Sequence, residues 1–201
     1  DLGKETAWGL DATLHRTEGT VRAEATAFAT VFNDFIYQEF TGDEVEEFPL
    51  LQTVQADAVF LGGETSLEFD LIHQGRHHLL VEGWGDYVRA ELRDSSEPLP
   101  RIPPLRFGSR LRYDGGGVRA GVGLTHVDTQ DRVGPMEEET EGYTLVDFSI
   151  GFRIFQGRVT HDLVLRGQNV TNTEARNHTS FLKELAPLPG RDIRIMYRVY
   201  F

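Results

Sequence analysis

The amino-acid sequence predicts an all-β fold, an antiparallel up-and-down transmembrane β-barrel of which about nine strands are present. Three observations lead to this prediction. Apolar residues recur at every second position and not at helical spacing. The alternating segments are often 11 residues or longer, against the usual five or six residues of a strand. Short turns and long loops connect them in alternation, which is how bacterial outer-membrane barrels are built.

Composition agrees with a span made of strands. Of the 201 residues, 39% are hydrophobic and 26% are charged, and no run of about 18 apolar residues predicts a transmembrane helix. The net charge of −12 argues against a general nucleic-acid binder, which carries a basic face. The absence of cysteine from the sequence excludes disulfides and thiolate chemistry.

The last strand, 191–201, shows the period of two most clearly. One face carries Ile193, Ile195, Tyr197, Val199 and Phe201, and the other carries Asp192, Arg194, Met196, Arg198 and Tyr200. The second face is mostly charged, so it does not lie against a packed core.

The same pattern recurs upstream and predicts strands at 4–16, 20–39, 56–72, 77–92, 104–114, 117–132, 142–155, 158–171 and 191–201. Long connections are expected at 40–55, 93–103, 133–141 and 172–190. Two of them are acidic and contain Asp43, Glu44, Glu46, Glu47, Glu137, Glu138, Glu139 and Glu141. Short turns at one rim and long loops at the other predict a periplasmic and an extracellular end.

A soluble β-sandwich or lipocalin-like barrel is the alternative, because its strands also alternate. The strand lengths count against it. So do the aromatic residues near strand ends, as interfacial girdles require: Tyr37, Phe40, Tyr87, Tyr113, Tyr143, Tyr197 and Phe201.

Several short motifs resemble one family. Gly142-Tyr143-Thr144-Leu145-Val146-Asp147 is similar to the antepenultimate strand of TonB-dependent outer-membrane receptors. Leu165–Asn172 resembles the ending of their penultimate strand, and Pro189-Gly190-Arg191 then opens the final one. Asp1–Glu5 is similar to the start of a mid-barrel strand, and Leu99–Arg106 to a loop-to-strand entry. Arg176–Lys183 with Ala186–Arg191 looks most like the last extracellular loop of the zinc-uptake branch.

The resemblance implies a part of a nutrient importer in the outer membrane of a Gram-negative bacterium. Such receptors have a 22-stranded barrel, so residues 1–201 are expected to be the C-terminal part of the barrel domain, without the plug and the first barrel half. It also implies contact with outer-membrane lipid, with a plug domain, with TonB through the missing N-terminal part, and with the barrel assembly machinery through the strand ending at Phe201. The alternative is a small autonomous outer-membrane barrel that acts as a pore or an adhesin.

Candidate metal ligands lie near the long-loop rim. His178 in the last long loop, with Glu174 or the acidic segment 137–141, has the imidazole and carboxylate groups that zinc accepts. His126, near Asp128 and Asp131, is a weaker candidate. The alternative is an ordinary exposed loop histidine. No cofactor is expected, and the transported ligand is predicted to be zinc, another metal or a metal chelate.

The other charged residues have a simpler explanation. Inward side chains of a wide, polar lumen pair across strands or with a plug. They are Glu64, Glu68, Asp70, Arg106, Arg110, Arg112, Asp147, Arg153, Asp162, Arg166, Arg194 and Arg198. An enzyme is not expected, because Ser149 has no nucleophile-elbow context and no base is placed beside it by sequence.

Overall fold

A computed structural model describes residues 2–46 and 48–201 of the chain. Two residues of the sequence patterns, Asp1 of the first motif and Glu47 of the acidic segment 40–55, lie outside the described residues. The described part forms nine strands: β1 (Thr6–Arg16), β2 (Val21–Val45), β3 (Phe48–Gln74), β4 (His77–Leu92), β5 (Arg106–Gly115), β6 (Val118–Val127), β7 (Tyr143–Gln156), β8 (Val159–Gln168) and β9 (Asp192–Tyr200).

The strands form a single antiparallel sheet in which each strand pairs with its neighbour in the chain, from β1 to β9. This confirms the predicted all-β, up-and-down fold. Tight turns join β1 to β2, β3 to β4, β5 to β6 and β7 to β8 at one rim. At two of these turns Gly75 (φ 60°) and Gly157 (φ 63°) adopt the left-handed backbone conformation that glycine tolerates best. In the described residues no helix is long and apolar enough to cross a membrane.

The register gives the sheet two chemically different faces. Across five adjacent strands, Val81, Leu111, Val122, Phe148 and Gly167 are successive partners on the apolar face, which we call the outer face. On the opposite face, the inner face, Glu68, Glu82, Arg110 and Gly123 are successive partners. Many apolar side chains of the outer face are exposed, so this face has no protein core against it.

The predicted loop 40–55 is wrong, because β2 and β3 continue through it as a long hairpin. Tyr37 pairs with Val54 and Phe40 pairs with Leu51 across this extension. Aromatic residues opposite β-branched and aliphatic residues favour strand pairing. The acidic residues near the tip therefore extend from the long-loop rim on two paired strands.

A bulge in β2, at the base of this hairpin, changes which residues lie on the same face of the strand. The register shifts between Phe32 and Phe35, and Asp34 has a φ of 54°. Because of this shift, both Phe32 and Phe35 lie on the inner face, where their rings meet edge to face with centroids 5.0 Å apart. They pack with Phe60 against a small buried cluster of Ala58, Ala90 and Leu99.

Two other predicted strands end earlier than expected. β6 ends at Val127 and not at residue 132, since the chain then turns to form only an isolated bridge between Gln130 and Thr140. β8 ends at Gln168 and not at residue 171, because Asn169 has a φ of 45°, which takes the backbone out of the extended region.

Candidate functional site

Three of the loops at the long-loop rim meet in one buried polar cluster, which we call the loop clamp: Glu137, Thr140, His178 and Lys183. Glu137 and Thr140 come from the β6–β7 loop, and His178 and Lys183 from the β8–β9 loop. The β4–β5 loop joins them through the backbone nitrogen of Arg101. All four side chains of the clamp are buried, and His178 is only 2% exposed.

Glu137 is the centre of the loop clamp. Its carboxylate accepts hydrogen bonds from the backbone nitrogens of Arg101, at 2.9 and 3.1 Å, and of Gly134, at 3.1 Å. Lys183 Nζ and His178 Nε2 each lie 3.3 Å from Glu137 Oε1. Burial alone would raise the pKa of Glu137, but these donors and the positive charge outweigh it and lower the pKa to about 2. Glu137 is therefore an anion at neutral pH that holds three loops together.

The histidine of the loop clamp contacts residues of both the β6–β7 loop and the β8–β9 loop. Thr140 Oγ1 lies 3.0 Å from His178 Nδ1, and Lys183 Nζ lies 3.4 Å from the same nitrogen. Lys183 also donates a hydrogen bond of 2.5 Å to the carbonyl of Glu138. Above the cluster, the guanidinium of Arg101 covers the ring of Phe181 at 4.1 Å from its centroid.

The structure separates the three sequence-predicted metal residues. His178 lies beside Glu137 of the acidic segment 137–141, so it is not the exposed loop histidine of the alternative reading. Glu174 is bound instead by Arg176, at 2.8 Å. His126 lies on the outer face, where it contacts Thr144 Oγ1 at 2.8 Å and packs against Phe107.

Within residues 2–46 and 48–201 no three His, Cys, Asp or Glu side chains are close enough to hold a metal ion together. The residue that sequence reasoning missed is Lys183, whose ammonium group occupies the position beside Glu137 that a cation would take. Lys183 belongs to the family-like motif Arg176–Lys183, but no pattern in the sequence predicts that its side chain points into the protein. The metal site remains a prediction.

The family-like motifs around Asp147 and Asn169 connect the last long loop to the sheet. Asp147 Oδ1 accepts a hydrogen bond of 2.8 Å from the backbone nitrogen of Asn169. The side chain of Asn169 binds the backbone of Thr173 in both directions, through its amide nitrogen (2.8 Å) and its oxygen (2.9 Å). The same amide nitrogen donates to the carbonyl of Pro189 at 3.3 Å. Both ends of the β8–β9 loop are therefore fixed to one buried asparagine.

A polar cavity of about 480 Å³ opens on the inner face between β4 and β8. The basic side chains that line it are Arg110, Arg112, Arg119 and Arg166, with His78 at its rim. Asp114, Asp147, Ser149 and Gln168 also line it. A concave, charged surface of this kind is typical of the lumen of a wide barrel and not of a folded core.

Ion pairs across strands neutralise part of the inner face. Arg22 binds Glu68 and Asp70, Arg112 binds Glu82, Arg106 binds Asp86, and Arg119 binds Asp162. The predicted pairing of inward charges is therefore confirmed for Glu68, Asp70, Arg106, Arg112 and Asp162, and their partners are further inward charges that were not predicted. Among the described residues, no carboxylate lies within 4.0 Å of the guanidinium of Arg110, Arg166 or Arg198.

Together these features define the class of protein. An up-and-down sheet with an apolar outer face, a charged concave inner face, short turns at one rim and folded loops at the other is the wall of an outer-membrane-type β-barrel. The chain belongs to the TonB-dependent receptors: the family model described as "TonB dependent receptor-like, beta-barrel" matches residues 1–172. No curated protein matched the chain.

Solved structures share this fold over nearly the whole chain. It is similar to the copper transporter OprC, with a TM-score of 0.80 and 21% identity over 99% of this chain. It is also similar to the FrpB iron transporter from Neisseria meningitidis (F3-3 variant), with a TM-score of 0.69 and 15% identity over 99% of the chain. The ferric-catecholate import receptor Fiu from K12 E. coli has a TM-score of 0.65 and 17% identity over 96% of the chain. The chain spans 32%, 32% and 28% of these three proteins.

Proposed function

We propose that this chain is part of the barrel of a receptor that imports a metal or a metal chelate across the outer membrane of a Gram-negative bacterium. The observation that carries the proposal is the family match over residues 1–172. The wall described above supports it, because an apolar outer face and a charged inner face suit a barrel in lipid with a polar lumen. The three similar structures are each named for a metal or a metal chelate, which motivates the ligand class.

The parts of this chain have different tasks in the proposed receptor. The outer face contacts outer-membrane lipid, and β9, ending beside Phe201, is the strand that the barrel assembly machinery would read. The folded loops form part of the extracellular mouth. The missing part of the receptor supplies the plug and the contact with TonB. No side-chain constellation for a chemical reaction is proposed.

Zinc is the specific ligand that we propose for the mouth, with His178 and Glu137 as its ligands and Glu174 and His126 as outlying candidates. The imidazole and carboxylate are already in contact at 3.3 Å. Because Lys183 neutralises the same carboxylate oxygen, its ammonium group would have to move away when zinc binds. The proposal therefore requires the loop clamp to open on binding.

The experiment uses cells that produce the full-length receptor as their single importer of this type. Accumulation of labelled zinc, copper and a ferric chelate is measured with and without an uncoupler of the inner-membrane proton gradient. Uptake of one of these that stops with the uncoupler supports an energised receptor. Uptake that is unaffected by the uncoupler indicates the pore alternative and contradicts the proposal.

A further inference from the structure

The inner face has charges of opposite sign in its two halves. Below the bulge in β2, the described inner face of β1–β4 carries carboxylates at Asp11, Glu24, Glu64, Glu68, Asp70, Glu82 and Asp86, with Arg22 as its one arginine. The inner face of β5–β9, which we call the cationic wall, carries Arg106, Arg110, Arg112, Arg119, Arg153, Arg166, Arg194 and Arg198. Its described carboxylates are Asp114, Asp147, Asp162 and Asp192.

The cationic wall is not neutralised by its own strands. Arg110 faces the backbone of Gly123, and the guanidiniums of Arg110, Arg166 and Arg198 have no carboxylate within 4.0 Å in the described residues. Arg166 and Arg194 are direct cross-strand partners. Like charges directly opposite each other in a sheet are destabilising. The wall therefore favours a partner that brings negative charge to it.

Small residues give such a partner room. On the inner face Gly121 is the cross-strand partner of Ser149, while Gly123 is opposite Asp147 and Gly151 is opposite Arg119. The cavity of about 480 Å³ is lined by Gly121, Gly123 and Ser149, together with Asp147. Arginine side chains on both sides of a shallow, small-residue floor suit carboxylates, which they bind with two parallel hydrogen bonds.

We propose that the cationic wall is the docking surface for an acidic face of the plug domain of the same receptor, centred on Arg110 and Arg166. The inference rests on the proposed function, since it requires a plug. It assigns the plug an orientation: the plug surface rich in Asp and Glu faces β5–β9. Charge complementarity of this kind selects one orientation of the plug over the others, because like charges brought together oppose docking.

The test uses the full-length receptor with a photo-crosslinking amino acid in place of Ser149 on the cavity floor. The matched control has the same amino acid in place of its neighbour Ile150 on the outer face. We expect the Ser149 variant to crosslink to a plug peptide that contains several carboxylates, and the Ile150 variant not to reach the plug. A folded Ser149 variant that crosslinks to a plug peptide without carboxylates, or to no plug peptide, overturns the proposal.

Charge reversal tests the same contact by function. In the full-length receptor, Arg110→Glu with Arg166→Glu should admit a large antibiotic that the wild type excludes, and Asp→Lys or Glu→Lys changes in the crosslinked plug peptide should restore exclusion. Arg158→Glu, in the exposed turn between β7 and β8, is the control that should change nothing. Unchanged exclusion in the double variant means that the wall faces water, which overturns the proposal.

Failure of this inference is distinguishable from failure of the proposed function. If the wild-type receptor imports its metal in an energy-dependent way but the crosslinks reach a basic plug surface, only the orientation is wrong. If the full-length protein has no plug, or its uptake is independent of energy, the proposed function itself is wrong and this inference fails with it.

Discussion

The carboxylate of Asp147 on β7 accepts a hydrogen bond of 2.8 Å from the backbone nitrogen of Asn169, the first residue after β8. Asn169 has the left-handed φ of 45°, which asparagine tolerates better than most residues. Its side chain then binds the chain at Thr173 and at Pro189, on the two sides of the last long loop. One residue therefore ends a strand, starts a loop and fixes the return of that loop.

We expect Asn169→Ala to lower the free energy of unfolding of the full-length receptor by about 1–3 kcal/mol, because the backbone groups of Thr173 and Pro189 lose partly buried hydrogen bonds. Alanine is also strained at this φ, which adds to the loss. Asn177→Ala is the matched control, since Asn177 is exposed in the same loop and, among the described residues, its side chain is hydrogen-bonded only to Thr179. The stability of both variants is measured by unfolding in urea, with loss of the heat-modifiable band as the signal. Equal stability of the two variants would contradict the proposed role of Asn169 in fixing the loop.

The loop clamp predicts a specific dependence on pH. The pKa of Glu137 is lowered to about 2 in the folded protein, so its charge contributes stability above the ordinary carboxyl pKa of about 4.5, and this contribution is lost as the pH falls toward 2. We expect the wild type to be more stable than Glu137→Gln at neutral pH. The difference should stay constant down to about pH 5 and then shrink toward pH 2.

Unfolding free energies of the two full-length proteins, measured from pH 7 to pH 2, check this window. Glu138→Gln serves as the control, because only the backbone carbonyl of Glu138 takes part in the clamp. A stability difference that disappears above pH 5, or one that is undiminished at pH 2, would show that Glu137 is not the buried anion described here.

Gly62 lies under an aromatic ring on the inner face. A Cβ atom at this position would lie 2.5 Å from Cζ of Phe28 and 2.6 Å from the backbone oxygen of Tyr87. We expect Gly62→Ala to destabilise the receptor by about 1–3 kcal/mol, as overpacking against backbone does. In Gly121→Ala the new Cβ would meet Ser149 Oγ at 3.4 Å and Leu111 O at 3.6 Å, so this control should keep wild-type stability. Equal thermal midpoints for the two variants would contradict the register of β2, β3 and β4.

The zinc hypothesis can be separated from a purely structural role of the loop clamp. His178→Ala removes a proposed ligand and a clamp contact, whereas Lys183→Met removes a clamp contact and the competing positive charge. If zinc binds at His178 and Glu137, zinc-dependent uptake should fall in His178→Ala and be kept or raised in Lys183→Met. Glu174→Ala and His126→Ala test the outlying candidates. Equal losses of zinc uptake in His178→Ala and Lys183→Met would show that the loop clamp has a structural role and does not bind zinc.

Much of the fold follows from local sequence pattern. The short turn at residues 73–76 and the polar segment after Leu92 predict β4 with both bounds correct. The same reasoning failed for β2, because the bulge between Phe32 and Phe35 shifts the apolar face by one position and interrupts the pattern. The acidic residues beyond it then resembled a solvated loop, although strand pairing continues through them.

The site was less accessible to sequence reasoning than the fold. His178 and the acidic segment 137–141 were paired correctly as a possibility, but the choice of Glu137 depends on how two loops fold back, 41 residues apart in the chain. Lys183 carried no signal of burial, since a lysine in a polar loop is usually solvated. The opposite charges of the two halves of the inner face emerge only when the register aligns the strands.

We propose that this chain is a membrane-spanning wall with its apolar face in lipid and its charged face in the lumen. Its sequence contains no cysteine, so single cysteines along β7 can carry a spin label in the full-length receptor, provided that any cysteine outside this chain is replaced. We expect labels at Phe148, Ile150 and Phe152 to be accessible to oxygen from the bilayer, and labels at Asp147, Ser149 and Gly151 to be shielded from it because they face the lumen. An accessibility that does not alternate along β7, or one with the two faces exchanged, would contradict the account.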